Sequence, residues 1–166
     1  MQHVFVYGTL KKGQPNHVEM LDPANGRAEF LARARTVEPY PLVIATDENV
    51  PFLLDAPGTG RRVCGEIYRV DQKMLEFLDE FEDCPKTYQR TEIRLEVRDR
   101  DREGDNIQEA FVYSTITYEP EWLQKPTYES YDANGDHGLK YIDRDTSSVT
   151  QQNTGAVKTG CDATNH

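Results

Sequence analysis

The chain has 166 residues and a formal net charge of −10, a length that fits one domain with a single core. The acidic balance argues against a nucleic-acid binder and against adhesion to anionic membranes, since both need a basic face. No apolar run approaches the roughly 20 residues of a membrane span, and the first residues lack the basic start and long apolar region of a signal peptide, so a cytosolic protein is expected.

In chain order, residues 3–7 predict a buried strand that Gly8 ends. Lys11-Lys12-Gly13-Gln14-Pro15 reads as a turn, from which Pro15 opens a short helix through Met20. Residues 28–37 and 41–45 predict strands, joined by the stiff connector Glu38-Pro39-Tyr40-Pro41. Residues 55–61 form a Pro/Gly loop. A strand over 63–70 is interrupted by Gly65, a sign that another backbone or a ligand approaches closely. Asp71 is an N-cap for a helix through about Asp83, which Pro85 stops. Thr91, Ile93, Leu95 and Val97 alternate with charged residues, the period of a strand with one face in solvent. A polar turn over 99–106 leads to its hairpin partner at 110–113. Many short strands with few helices predict a small α+β domain on a curved or closed sheet. Residues 1–145 form that domain, and the Ser/Thr/Gln/Asn-rich residues 146–166 a disordered tail.

Two elements carry chemistry. The first is the turn Tyr7-Gly8-Thr9-Leu10. Glycine permits tight backbone approach, and the N–H groups after it can form a nest for a carboxylate. The second is Glu82. The segment 73–83 is rich in acids, normally a solvated face. Met74, Phe77, Leu78 and Phe81 make its apolar stripe at i, i+3, i+4, i+7, and Leu75 widens that stripe. Glu82 falls within the apolar arc, whereas Glu76, Asp79, Glu80 and Asp83 fall outside it. A carboxylate so placed is either paired, with Arg90 or Arg94 as partner, or tuned by desolvation for proton transfer. Tyr40, Tyr88 and Tyr113 are candidate pocket walls, with core packing the favoured alternative.

Other motifs fail. Cys64, Cys84 and Cys161 are odd in number and widely spaced, so neither a disulfide framework nor a zinc site is expected. Cys84 lies beside Asp83, a setting that disfavours the thiolate. Asp132-Ala133-Asn134-Gly135-Asp136 opens like a calcium loop, but His137 stands where that loop needs glycine. His17 and His137 are isolated. No metal and no cofactor is expected.

The ordered set of V-F-V-Y-G-T-L, Lys11-Lys12-Gly13-Gln14-Pro15-Asn16-His17, Glu38-Pro39-Tyr40-Pro41, Val63-Cys64-Gly65-Glu66-Ile67-Tyr68, Phe81-Glu82-Asp83-Cys84-Pro85, Tyr88-Gln89-Arg90, Phe111-Val112-Tyr113-Ser114, Glu121-Trp122, Ser130-Tyr131-Asp132 and His137-Gly138-Leu139 resembles the γ-glutamyl cyclotransferase-like (AIG2-like) family over residues 1–145. The resemblance implies a small mixed β-barrel flanked by short helices. It implies a γ-glutamylamine substrate, such as the ε-(γ-glutamyl)lysine left by digestion of transglutaminase crosslinks, cleaved to 5-oxoproline and free amine. It maps the essential glutamate onto Glu82 and the substrate-binding turn onto Tyr7, Gly8, Thr9 and Leu10. The expected partner is the small-molecule substrate alone, bound by a monomer, with no nucleic acid and no membrane. The alternatives are the same reaction on γ-glutamyl-amino acids or glutathione, and a non-catalytic small-molecule binder on the same barrel.

Overall fold

The computed structural model describes residues 2–46, 49–84, 86–98 and 106–133. Five strands, β1 (Gln2–Val6), β2 (Ala28–Thr36), β5 (Cys64–Val70), β6 (Gln89–Val97) and β7 (Ile107–Ser114), form a closed barrel in the order β1-β5-β2-β6-β7. All pairings are antiparallel except the closing one, where β1 runs parallel to β7 with Val4 opposite Phe111. β3 (Leu42–Ala45) and β4 (Val50–Leu53) make a separate antiparallel hairpin. The helices are α1 (His17–Leu21) and α2 (Gln72–Phe81), and a 3-10 turn covers Pro120–Gln124. The expected mixed barrel with short helices is therefore the fold.

Strand alternation explains the core. Phe5 and Tyr7, Ala32 and Ala34, Ile67, Ile93, Leu95 and Val97, and Ala110 and Val112 fill the barrel interior. Val4, Val6, Tyr68 and Val70 point outward, where Met74, Leu75 and Leu78 of α2 cover them. β1 is thus buried on both faces, which is why it reads as an unbroken apolar run rather than an alternating one. β6 has one wet face and alternates.

Gly65 is where two backbones meet, because a Cβ there would lie 2.3 Å from the Val6 carbonyl oxygen. Asp71 caps α2 by accepting the Met74 N–H at 2.9 Å, and it also accepts the Arg27 N–H.

Three details differ from expectation. α1 begins at His17, with Asn16 as N-cap, rather than at Pro15. β4 was not expected, since Pro51 breaks the strand pattern; a two-stranded sheet tolerates it because an edge position needs no N–H. Cys64 is disulfide-bonded, a single bond that the reading against a disulfide framework did not foresee, while Cys84 is free. The expected tail, the 134–136 part of the calcium-like loop and His137-Gly138-Leu139 lie outside the described residues.

Candidate active site

The turn after β1 is built from saturated carbonyls and open amides. The Gly8 carbonyl accepts the Lys11 N–H at 3.1 Å, and the Thr9 carbonyl accepts the Asn16 N–H at 2.8 Å. The Asn16 side-chain amide donates to Thr9 Oγ1 at 2.9 Å, and His17 Nδ1 lies 2.9 Å from the Leu10 carbonyl oxygen, which fixes its proton on that nitrogen. Among the described residues, no hydrogen bond uses the N–H of Gly8, Thr9 or Leu10. Three successive donors are thereby left for an anion. Gly8 is required by contact, since a Cβ there would meet Pro51 Cγ at 2.7 Å.

Tyr7 sits at the barrel end with its hydroxyl fully engaged. It donates to the Tyr113 carbonyl at 2.6 Å and accepts the Leu53 N–H at 3.3 Å. Burial, and then the negative charge of Glu82, hold its phenol well above the ordinary tyrosine pKa. The charge at the end of α2 is thus felt at the end of β1.

Glu82 is the C-cap of α2, not an interior helical residue, and it is half-buried. Its N–H still donates to the Leu78 carbonyl at 2.8 Å. Beyond it the chain closes a Schellman motif: the Asp83 N–H bonds the Glu80 carbonyl at 3.0 Å and the Cys84 N–H the Asp79 carbonyl at 2.9 Å. Asp83 takes the left-handed position with φ of 56°. Met74, Leu75 and Leu78 of α2 are buried, whereas Glu82, just past the helix, is only half-buried.

The two arginines considered as partners for Glu82 are engaged elsewhere. Arg90 pairs with Asp79 at 3.3 Å and lies over the Phe111 ring at 4.9 Å. Arg94 pairs with Glu38 at 3.6 Å. Asp79 also accepts the Tyr113 hydroxyl at 2.7 Å. Burial, followed by Asp79, raises the Tyr113 phenol pKa, and Glu82 adds to the effect. Sequence patterning set Asp79 aside as solvated; its i, i+3 relation to Glu82 was the available signal.

The other tyrosines mainly pack. Tyr40 lies in the barrel core. Tyr88 stacks on Phe52 with centroids 5.1 Å apart and donates to the Pro51 carbonyl at 2.8 Å, and Trp122 flanks the same ring at 4.9 Å. These aromatics wall the hairpin that lies along the turn. Among the described residues no group of three His, Cys, Asp or Glu is arranged to hold a metal. Chemically, the turn offers backbone donors that suit a carboxylate or an oxyanion, and the end of α2 offers a carboxylate whose charge reaches Tyr7 and whose type suits proton transfer.

Comparison with known proteins bears on this geometry. A family model described as gamma-glutamyl cyclotransferase, AIG2-like, matches residues 4–133. The gamma-glutamylaminecyclotransferase C of Danio rerio is 65% identical over 143 residues, spanning 86% of this chain and 94% of that protein. The gamma-glutamylaminecyclotransferase of Homo sapiens is 52% identical over 151 residues, spanning 87% of this chain and 99% of that protein. The crystal structure of an AIG2-like protein from Mus musculus aligns with a TM-score of 0.83 at 55% identity, covering 89% of this chain and 99% of that one.

Proposed function

The chain belongs to the gamma-glutamyl cyclotransferase, AIG2-like family, and from that premise we propose that it cleaves γ-glutamylamines, ε-(γ-glutamyl)lysine foremost, to 5-oxoproline and the free amine. The observation that carries the reading is the run of open N–H groups at Gly8, Thr9 and Leu10, next to a tyrosine, Tyr7, whose hydroxyl feels the charge of the Glu82 carboxylate.

The reaction is an internal aminolysis. The substrate's α-nitrogen attacks its own γ-carbonyl carbon, a ring C–N bond forms, and the amide C–N bond breaks. Atoms balance without oxidant, reductant or group donor. Both reacting groups belong to one molecule, so selecting the folded conformer supplies up to about 7–11 kcal/mol. Two proton problems remain. The α-amine, of reference pKa about 7.7–8.0, must lose its protons to attack, and the departing lysine amine, of reference pKa about 10.4, leaves poorly unless protonated. Both nitrogens are bonded to one tetrahedral carbon. Glu82 takes a proton from the first and returns it to the second. The turn N–H groups hold the α-carboxylate, and one of them stabilises the developing oxyanion.

Residues 1–145 are the catalytic unit in this reading and residues 146–166 an appended polar tail; the span of the family match, 4–133, supports that division. The enzyme works as a cytosolic monomer on a small molecule, without nucleic acid or membrane. The net charge of −10 supports the last two exclusions. Among the described residues no helix is long and apolar enough to cross a membrane.

The test is 5-oxoproline release from ε-(γ-glutamyl)lysine, γ-glutamyl-alanine and glutathione by wild type and Glu82→Gln. Release from the lysine compound is expected. Glu82→Gln should lower kcat by at least about 100-fold, the range of lost acid–base catalysis, while keeping the melting temperature and 5-oxoproline affinity. Near-normal turnover by the folded variant removes Glu82 from the mechanism. Release mainly from the dipeptide or glutathione moves the protein to a sister activity. Binding of 5-oxoproline without turnover of any of the three identifies a binder.

A further inference from the structure

The substrate turn is held from a place far away in sequence. Lys11 Nζ donates to the Tyr131 carbonyl at 2.7 Å. The Gln14 side chain is clamped at both ends: its oxygen accepts the Ala133 N–H at 2.8 Å and its nitrogen donates to Asp132 Oδ1 at 3.4 Å. Between them, the Lys12 N–H donates to Glu66 Oε1 of β5 at 3.0 Å. Backbone bonds carry these anchors to the turn itself, from the Gln14 N–H to the Lys11 carbonyl at 3.0 Å, and from the Lys11 N–H to the Gly8 carbonyl at 3.1 Å. Tyr131, Asp132 and Ala133 belong to no strand or helix, yet all three are buried, and Tyr131 and Ala133 join the barrel core. An irregular segment with apolar anchors in the core makes a fixed post for the loop it touches.

We propose that Gln14 and Lys11 are positioning residues for the γ-glutamyl-binding turn, and that the segment 131–133 is the post to which they tie it. The proposal rests on the reading of residues 7–10 as the substrate turn. The N–H groups of Gly8, Thr9 and Leu10 recognise an anion only if they converge. Their direction is set by the loop that follows, because Gly8 has no side chain to hold it. Cutting the tie leaves each donor present and lets it point elsewhere, so binding suffers before chemistry does. Glu82 stands on a separate element, at the C-cap of α2, where the helix-end bonds to the Leu78, Glu80 and Asp79 carbonyls hold the turn, so it keeps its place.

The clamp on Gln14 makes a polarity-reversal test available. Gln14→Glu keeps an acceptor for the Ala133 N–H but sets a carboxylate against the buried Asp132 carboxylate. Adding Asp132→Asn supplies a side-chain N–H for the new glutamate and restores the pair with donor and acceptor exchanged. Gln14→Glu is expected to raise KM for ε-(γ-glutamyl)lysine and Kd for 5-oxoproline together by about tenfold, the scale of one or two lost hydrogen bonds, with kcat within about twofold of wild type. The double variant should return both constants to near the wild-type values, and Lys11→Met should behave like Gln14→Glu. Unchanged KM and Kd in folded Gln14→Glu, a fall in kcat at constant KM, or a folded double variant that fails to recover would each overturn the proposal. Should Gln14→Glu not fold, Gln14→Ser carries the same expectation and readout. A wild type that neither binds 5-oxoproline nor releases it instead ends the functional reading, which separates the two failures.

Discussion

Around Glu82 the decisive neighbour is Asp79, one turn earlier on α2. It accepts the Tyr113 hydroxyl at 2.7 Å and holds the Arg90 guanidinium at 3.3 Å, so the cation on that face is spent on a carboxylate other than the proposed proton carrier. Asp79→Asn separates the two roles. An asparagine oxygen still accepts the Tyr113 hydroxyl, but the charge that held Arg90 is gone, and its guanidinium acts more strongly on the other carboxylate whose charge is felt at Tyr113, Glu82. A closer cation favours the ionised form and lowers a carboxyl pKa. The acidic limb of kcat/KM is therefore expected to move to lower pH in Asp79→Asn, and the plateau to fall, because a weaker base transfers the proton less readily. Stability should drop by no more than about 1 kcal/mol, since the ion pair is partly exposed. A pH–rate profile checks this; a profile identical to wild type removes Asp79 from any influence on Glu82.

The end of α2 shows the same logic at the scale of an element. The Schellman closure turns the chain at Asp83, whose φ of 56° is normally a glycine position, and aspartate is among the few residues that tolerate it. Asp83→Gly should keep activity and melting temperature close to wild type, although it gives up the exposed bond from Thr87 Oγ1 to Asp83 Oδ2 at 2.8 Å. Asp83→Val forces a β-branched side chain into the left-handed region, which costs about 1–2 kcal/mol. It is expected to lower both the melting temperature and kcat, because the same turn aims Glu82. Thermal melts and turnover of the two variants decide; equal turnover in both would uncouple the cap from the site. How far each element was readable follows from its surroundings. The buried stripe of Met74, Leu75 and Leu78 depends only on the helical period and was visible in sequence. The Schellman turn was hidden by aspartate in a glycine's place. β6 was plain because one face is wet, and β4 was invisible because Pro51 interrupts a strand of only four residues.

Closure of the barrel is a property of the whole chain. It brings Val4 beside Phe111, a contact no local period encodes; the pattern of short strands left the sheet curved or closed, and the family resemblance implied the barrel. The tie between Lys11 and Tyr131 is of the same kind. The motif around Lys11 was visible, but its partner is 120 residues away. That partnership has a consequence for stability. Burial pushes the Lys11 amine down to about 8, with Glu66 and Asp132 pulling the other way, while in an unfolded chain it titrates near about 10.4. Below pH 8 both states hold the proton and Lys11 adds no slope. Between about 8 and 10.4 the unfolded chain binds the proton and the folded one does not, so stability from this group rises with pH, by at most about 1.4 kcal/mol per unit. The neutral amine keeps its N–H for the Tyr131 carbonyl, so the tie survives the titration. Urea unfolding of wild type and Lys11→Met at pH 7, 9 and 10 isolates the group, since every other titration is common to both proteins. The difference in unfolding free energy should move steadily in favour of wild type as pH rises. A constant difference would mean that the amine is solvated rather than enclosed, and that the loop is held by Gln14 and Glu66 without it.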